Sequence, residues 1–118
     1  GPDQLNGMPC RVPPGCSYIA LAILTMESGA EAGAEQFLQQ ESCRLTCEEA
    51  HHLAASVAEH GYLHRVEVDG CWNICLPIEY RHRFYGVSLY GRKGQGGNPD
   101  RLLFEAALLT SRIRNALS

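Results

Sequence analysis

The chain has 118 residues, which predicts one domain large enough for a single core without obligatory crosslinks. Its formal charge is −3, and its ten basic residues include one lysine, Lys93, so a broad electrostatic footprint for nucleic acid is excluded. No run of ~18 apolar residues occurs, which excludes a spanning helix by sequence; Ile19–Met26 is too short and reads as buried structure.

Residues 1–16 hold four prolines and are expected to be an extended lead-in, with Pro13-Pro14-Gly15 as a turn. Gly1-Pro2 has the form of a scar left by a removed expression tag, which implies a piece cut from a longer protein. Residues 17–118 then form the single domain. Ser17–Met26 (SYIALAILTM) is apolar on both faces; its length and the breaker Gly29 favour a buried strand over a short helix. Glu31–Gln40, with Phe37 and Leu38 among small and polar residues, predicts a weak helix.

The next helix carries a full start signal. Thr46 can cap, Glu49 completes a capping box, and Leu45 with Ala50 occupies the two staple positions. Cys47, Ala50, Leu53, Ala54, Val57 and Ala58 recur at helical spacing, and Gly61 supplies the stop. The polar residues Glu48, Glu49, His51, His52 and Glu59 must then face water or a partner.

Tyr62–Val68 and Trp72–Ile78 read as strands joined at Asp69-Gly70, a pair suited to a tight hairpin turn. Alternation puts Trp72, Ile74, Leu76 and Ile78 on one face and Cys71, Asn73 and Cys75 on the other. A third strand, Arg83–Arg92, has Gly86 at its middle, which marks a bulge or a close approach by another element. After a glycine-rich connection over 93–98, a long helix is predicted, with Asn98 as cap, Pro99 in the first turn and Asp100 at the positive end of the dipole. Leu102, Ala106, Leu109, Ile113 and Ala116 make one apolar stripe, and Leu103, Phe104, Ala107, Leu108 and Leu117 widen it. One stripe suffices to seat a surface helix, so the extra width implies either a deeper core position or a partner helix, and it is read here as a homodimer contact through this C-terminal helix.

The segments Leu76-Pro77-Ile78, Tyr85-Gly86-Val87-Ser88-Leu89, Asp100-Arg101-Leu102-Leu103 and Ile113-Arg114-Asn115-Ala116-Leu117 together resemble the closing half of a GAF domain. About half the chain takes part. The resemblance implies an α+β fold, GAF/profilin-like, with helices packed on an antiparallel sheet. It also implies a sensory or regulatory role in a larger cytoplasmic signalling or transcription-regulating protein, with a small ligand held between sheet and helices. The ligand-binding candidates are His64, Cys71, Asn73 and Cys75, on the hairpin face away from the final helix, or Tyr62 and Trp72 if the faces are reversed. Read from the residues themselves, Tyr62, Trp72, Tyr80, Phe84, Tyr85 and Tyr90 interleave with positive charge and could stack a nucleotide-sized ligand, although filling the core is the simpler reading, and the cofactor is left unspecified.

The alternative is a winged-helix, DEP-like interaction module. Ser17–Met26 would be its first helix, Glu31–Gln40 its second, Thr46–His60 its third and Tyr62–Ile78 its wing. The acidic face of the third helix argues against direct DNA contact. The two readings part on residues 17–26, which pair with the third strand in the first and are helical in the second.

Cys43, Cys47 and His51, with Cys71 and Cys75, offer thiols and an imidazole for zinc, but structural zinc sites space their cysteines differently. The cysteines read better as small hydrophobes, reduced in the cytoplasm, and no metal site is assigned. His64, Arg65, Arg81, His82, Arg83, Arg92 and Lys93 concentrate positive charge about the hairpin and third strand, where a solvated, pairing-resistant edge is the simplest reading. No recognisable nucleophile motif occurs, so an enzyme is not expected.

Overall fold

Of residues 17–26, predicted as a strand, 18–26 are helical, and Ser17 lies outside the described residues. The structure, a computed structural model, describes residues 18–40, 43–92, 94 and 99–117. The lead-in over 1–16, Cys10, Cys16 and the cap at Asn98 lie outside the described residues. The elements are α1 (Tyr18–Ser28), α2 (Ala30–Leu38), α3 (Cys47–His60), β1 (Leu63–Val66), β2 (Trp72–Tyr80), β3 (Arg83–Gly91) and α4 (Pro99–Leu117). Among the described residues, three helices therefore precede a three-stranded antiparallel sheet of order β1-β2-β3, and a fourth follows it, an α+β architecture.

The reason α1 is helical lies in what covers it. Its apolar residues point both ways because two different layers bury them, so no period shows in the sequence. Leu21, Ala22 and Thr25 are buried among the helices, while Ile19 faces Gly86 of β3. Thr25, the one buried polar residue among the described residues, donates its hydroxyl to the Leu21 carbonyl at 2.8 Å. Gly29, at φ 92°, ends α1 by donating its amide to the Thr25 carbonyl and lets α2 begin at once. Gly33 then allows α2 to pack closely on α1, since a Cβ there would lie 2.8 Å from the Thr25 backbone.

Helix α3 follows its sequence signals. Thr46 Oγ1 accepts from the Glu49 amide at 3.1 Å, and the Glu49 carboxylate accepts from the Thr46 amide at 3.0 Å. Gly61 closes the helix in the left-handed conformation, at φ 81°. Ala50, Leu53, Ala54 and Val57 are buried, whereas Cys47 and Ala58, predicted on the same stripe, are exposed.

Both hairpins are tight, by different means. The β1–β2 loop is not the two-residue Asp69-Gly70 turn expected. Glu67 and Cys71 pair, the Gly70 amide donates to the Glu67 carbonyl at 2.9 Å, and Gly70 sits at φ 86°. That is a three-residue loop with a left-handed glycine. Between β2 and β3, Tyr80 opposes Arg83, and Arg81 and His82 occupy the turn at φ 51° and 63°. Two left-handed residues in succession match the twist of the strands, although neither is glycine.

Central strand β2 is buried from Ile74 to Ile78 because each face carries a helix. Cys75 belongs to the core of α1, α2 and α3, with Leu21, Ala54 and Leu63. Ile74 and Leu76 belong to a second core under α4, with Ala106, Leu102 and Leu103. The close approach expected at Gly86 is that of α1, since a Cβ there would lie 2.2 Å from Ile19 Cγ1. Among the described residues, no helix is long and apolar enough to cross a membrane.

Candidate functional site

The six predicted ligand-binding residues do not converge. Leu63 pairs with Cys75, His64 with Ile74, Arg65 with Asn73 and Val66 with Trp72. By this register Asn73 and Cys75 share the face covered by α1, while His64, Trp72 and Ile74 share the face covered by α4. Tyr62 and Trp72 are partly buried against Ile74, Leu76 and Ala106, and the Tyr62 ring lies 5.8 Å from that of His60. Gly91 opposes Trp72 and leaves room for its ring, since a Cβ there would lie 2.5 Å from Trp72 Cζ2. Cys71 stands in the hairpin loop, its amide donating to Asp69 Oδ1 at 2.9 Å, and this bond holds the Asp69 carboxyl below its usual range. Cys75 is buried; burial pushes its thiol up to about 11, against a weaker opposing hydrogen bond from Ser88 at 3.7 Å. Both sheet faces are thus packed, one by α1 and one by α4.

A polar cluster that the sequence reading missed joins three elements. Tyr18 of α1 donates its hydroxyl to Glu67, and Arg65 of β1 reaches Glu49 of α3 at 2.8 Å and Glu67 at 3.4 Å. The Arg65 guanidinium also lies over the Tyr18 ring, 5.3 Å from its centroid. Burial alone would lower the Arg65 pKa, but the bond to Glu49 and the neighbouring negative charge outweigh it and hold it above the usual value. The Glu49 carboxyl is held below its usual range, first by the Thr46 amide and then by Arg65. Burial, then the bond to Glu67, pushes the Tyr18 hydroxyl up to about 12. The sequence places Arg65 in a positive patch, but two carboxylates neutralise it. The signal available was Glu49, whose place at the helix start fixes a carboxylate at that spot.

Cys47 Sγ lies 3.6 Å from His51 Nδ1 on one face of α3, as their spacing implies. Among the described residues, no group of three or more His, Cys, Asp or Glu side chains gathers as a metal site.

Three surfaces remain. The exposed side of α3 carries Glu48, His52 and Glu59. Glu79, Tyr80, Arg81, His82 and Arg114 line an open cleft of about 570 Å³ at the β2–β3 turn, where the Tyr80 hydroxyl donates to the Leu117 carbonyl and ties down the end of α4. The outer side of α4 is the third. Leu102, Leu103, Ala106, Thr110 and Ile113 turn inward, whereas Leu109 and Ala116, predicted to join that stripe, are exposed. Phe104 is 64% exposed and Leu108 43%, one turn apart and about half a turn around the helix from Ala106. An exposed phenylalanine beside an exposed leucine on a helix already seated by its other face is the most distinctive apolar surface of the described residues. No family model, curated protein or solved structure matches the chain.

Proposed function

We propose that this chain is a winged-helix-like, DEP-like protein-interaction module that dimerises through α4 and serves an assembly or regulatory role within a larger protein, with no chemistry of its own. One observation carries the reading: residues 18–28 form a helix, so that three helices lead into the β1–β2 hairpin in winged-helix order. The ligand-sensing, GAF-like reading needed that segment as a strand beside β3, and its ligand residues fall on opposite, helix-covered faces of the sheet. It is therefore set aside.

The charge distribution supports a protein partner over DNA. A winged helix reads DNA with its third helix, which must come close to phosphates. Here that helix exposes Glu48 and Glu59 and has no lysine or arginine, while Arg65 in the adjoining hairpin is held by Glu49 and Glu67. Two measurements test the proposal. In fluorescence anisotropy at low salt, duplex DNA of mixed sequence should show no saturable binding; tight binding that weakens steeply with salt would refute the reading. In sedimentation equilibrium the chain should be a dimer, and loss of residues 112–118 should leave a monomer.

A further inference from the structure

We infer that the partner of α4 is α4 of a second copy, lying antiparallel about a two-fold axis beside Leu108; this rests on the assembly reading above and specifies its geometry. Phe104 and Leu108 form the ridge of the outer face, and Glu105 and Arg112 flank it on the same side. In an isologous antiparallel pair, residues whose numbers sum to about twice 108 come level, and like flanks meet. Leu108 then packs on its own copy, and Phe104 of each chain covers the stem of Arg112 of the other.

The charges on the flank suit this orientation. Glu105 comes level with Arg112 of the second copy, and symmetry makes the contact twice. The same register brings Asp100 level with Arg114 of the second copy. Arg112 has no hydrogen-bond or ion-pair partner among the described residues. Glu105 has only the exposed pair with Arg101 at 3.3 Å within its own helix. A parallel pair would instead set Leu108 against Leu108 with Glu105 and Arg112 about two turns apart, out of each other's reach. Apolar contact at the centre with opposite charges meeting at the rim is the arrangement that favours one orientation of a helix pair over the other.

The experiment uses Glu105→Arg and Arg112→Glu, alone and mixed, in sedimentation equilibrium, with circular dichroism as the check on folding. Each single reversal turns two symmetric attractions into repulsions, so each variant alone should dimerise about 30-fold more weakly than the unaltered chain. Mixing the two should restore dimers, because the first variant presents two arginines to the two glutamates of the second. If a reversed chain fails to fold, the milder Glu105→Gln and Arg112→Gln should each weaken the dimer about threefold, and mixing them should recover part of the loss, because one of the two Glu105–Arg112 contacts survives in the mixed dimer. Dimers that ignore the reversals but are lost in Phe104→Ser/Leu108→Ser would overturn the antiparallel register and leave assembly through α4 standing. An unaltered chain that stays monomeric at high concentration would overturn both, and would mean that another protein covers this face.

Discussion

Gly33 sits where α2 crosses α1, and replacing it with alanine sets two effects of opposite sign against each other. Helix propensity favours the change: alanine in a helix interior is better than glycine by about 1 kcal/mol. Packing opposes it. The new Cβ would meet Thr25 N and Cα at 2.8 Å and the Leu24 carbonyl carbon at 2.9 Å, and these are backbone atoms that cannot rotate away. To restore ordinary contact, α2 must withdraw by at least about half an ångström from α1, loosening the packing of Ala34 and Phe37 on Leu21 and Ala22. Overpacking of a well-filled core costs about 1–3 kcal/mol, and the rigidity of the opposing atoms puts this site at the upper end. The net expectation for Gly33→Ala is a loss of about 1–2 kcal/mol, seen as a fall in melting temperature of about 5–10 °C. Urea denaturation measures it directly, with the midpoint lowered and the slope unchanged. A midpoint raised by the substitution would mean that propensity wins, and that α1 and α2 do not approach as closely as described.

Two further outcomes follow from ionisable groups. The Tyr18 hydroxyl is raised from 10.0 to about 12 and the Cys75 thiol from 9.0 to about 11, both chiefly by burial. The unfolded chain therefore gives up these protons first, so the stability they contribute is whole below about pH 9 and is lost as pH climbs through 11 and 12. Denaturation midpoints taken from about pH 8 to about pH 11.5 should fall, and Tyr18→Phe should flatten the upper part of that fall; identical slopes in the two proteins would remove Tyr18 from the account. Cysteine alkylation gives an independent check, read site by site by peptide mass spectrometry near pH 8. Exposed Cys47 should react about a hundredfold faster than buried Cys75. Equal rates would mean that α1 does not seal that face of the sheet.

How far the sequence could be read depended on where the deciding contacts lay. The ends of α3 were legible because Thr46, Glu49 and Gly61 act within a few residues of themselves, and the three strands because alternation and turn residues are local as well. Helix α1 was not, since a segment apolar on both sides has no period to read, and only the presence of α2 and α3 on one side and β3 on the other accounts for its composition. The candidate ligand residues fared no better. Register assigns Asn73 and Cys75 to one face and His64 and Trp72 to the other, but which helix covers each face depends on how the chain turns after β3.

By itself, then, the sequence determined the capped third helix, the three strands and a final helix with more apolar surface than one contact needs, all through interactions between near neighbours. Only the tertiary structure decided that residues 18–28 are helical, that Arg65 is neutralised by Glu49 and Glu67, and that Phe104 and Leu108 look outward. Each of these depends on side chains brought together from distant parts of the chain, whose pairing becomes defined once the helices have closed on both faces of the sheet.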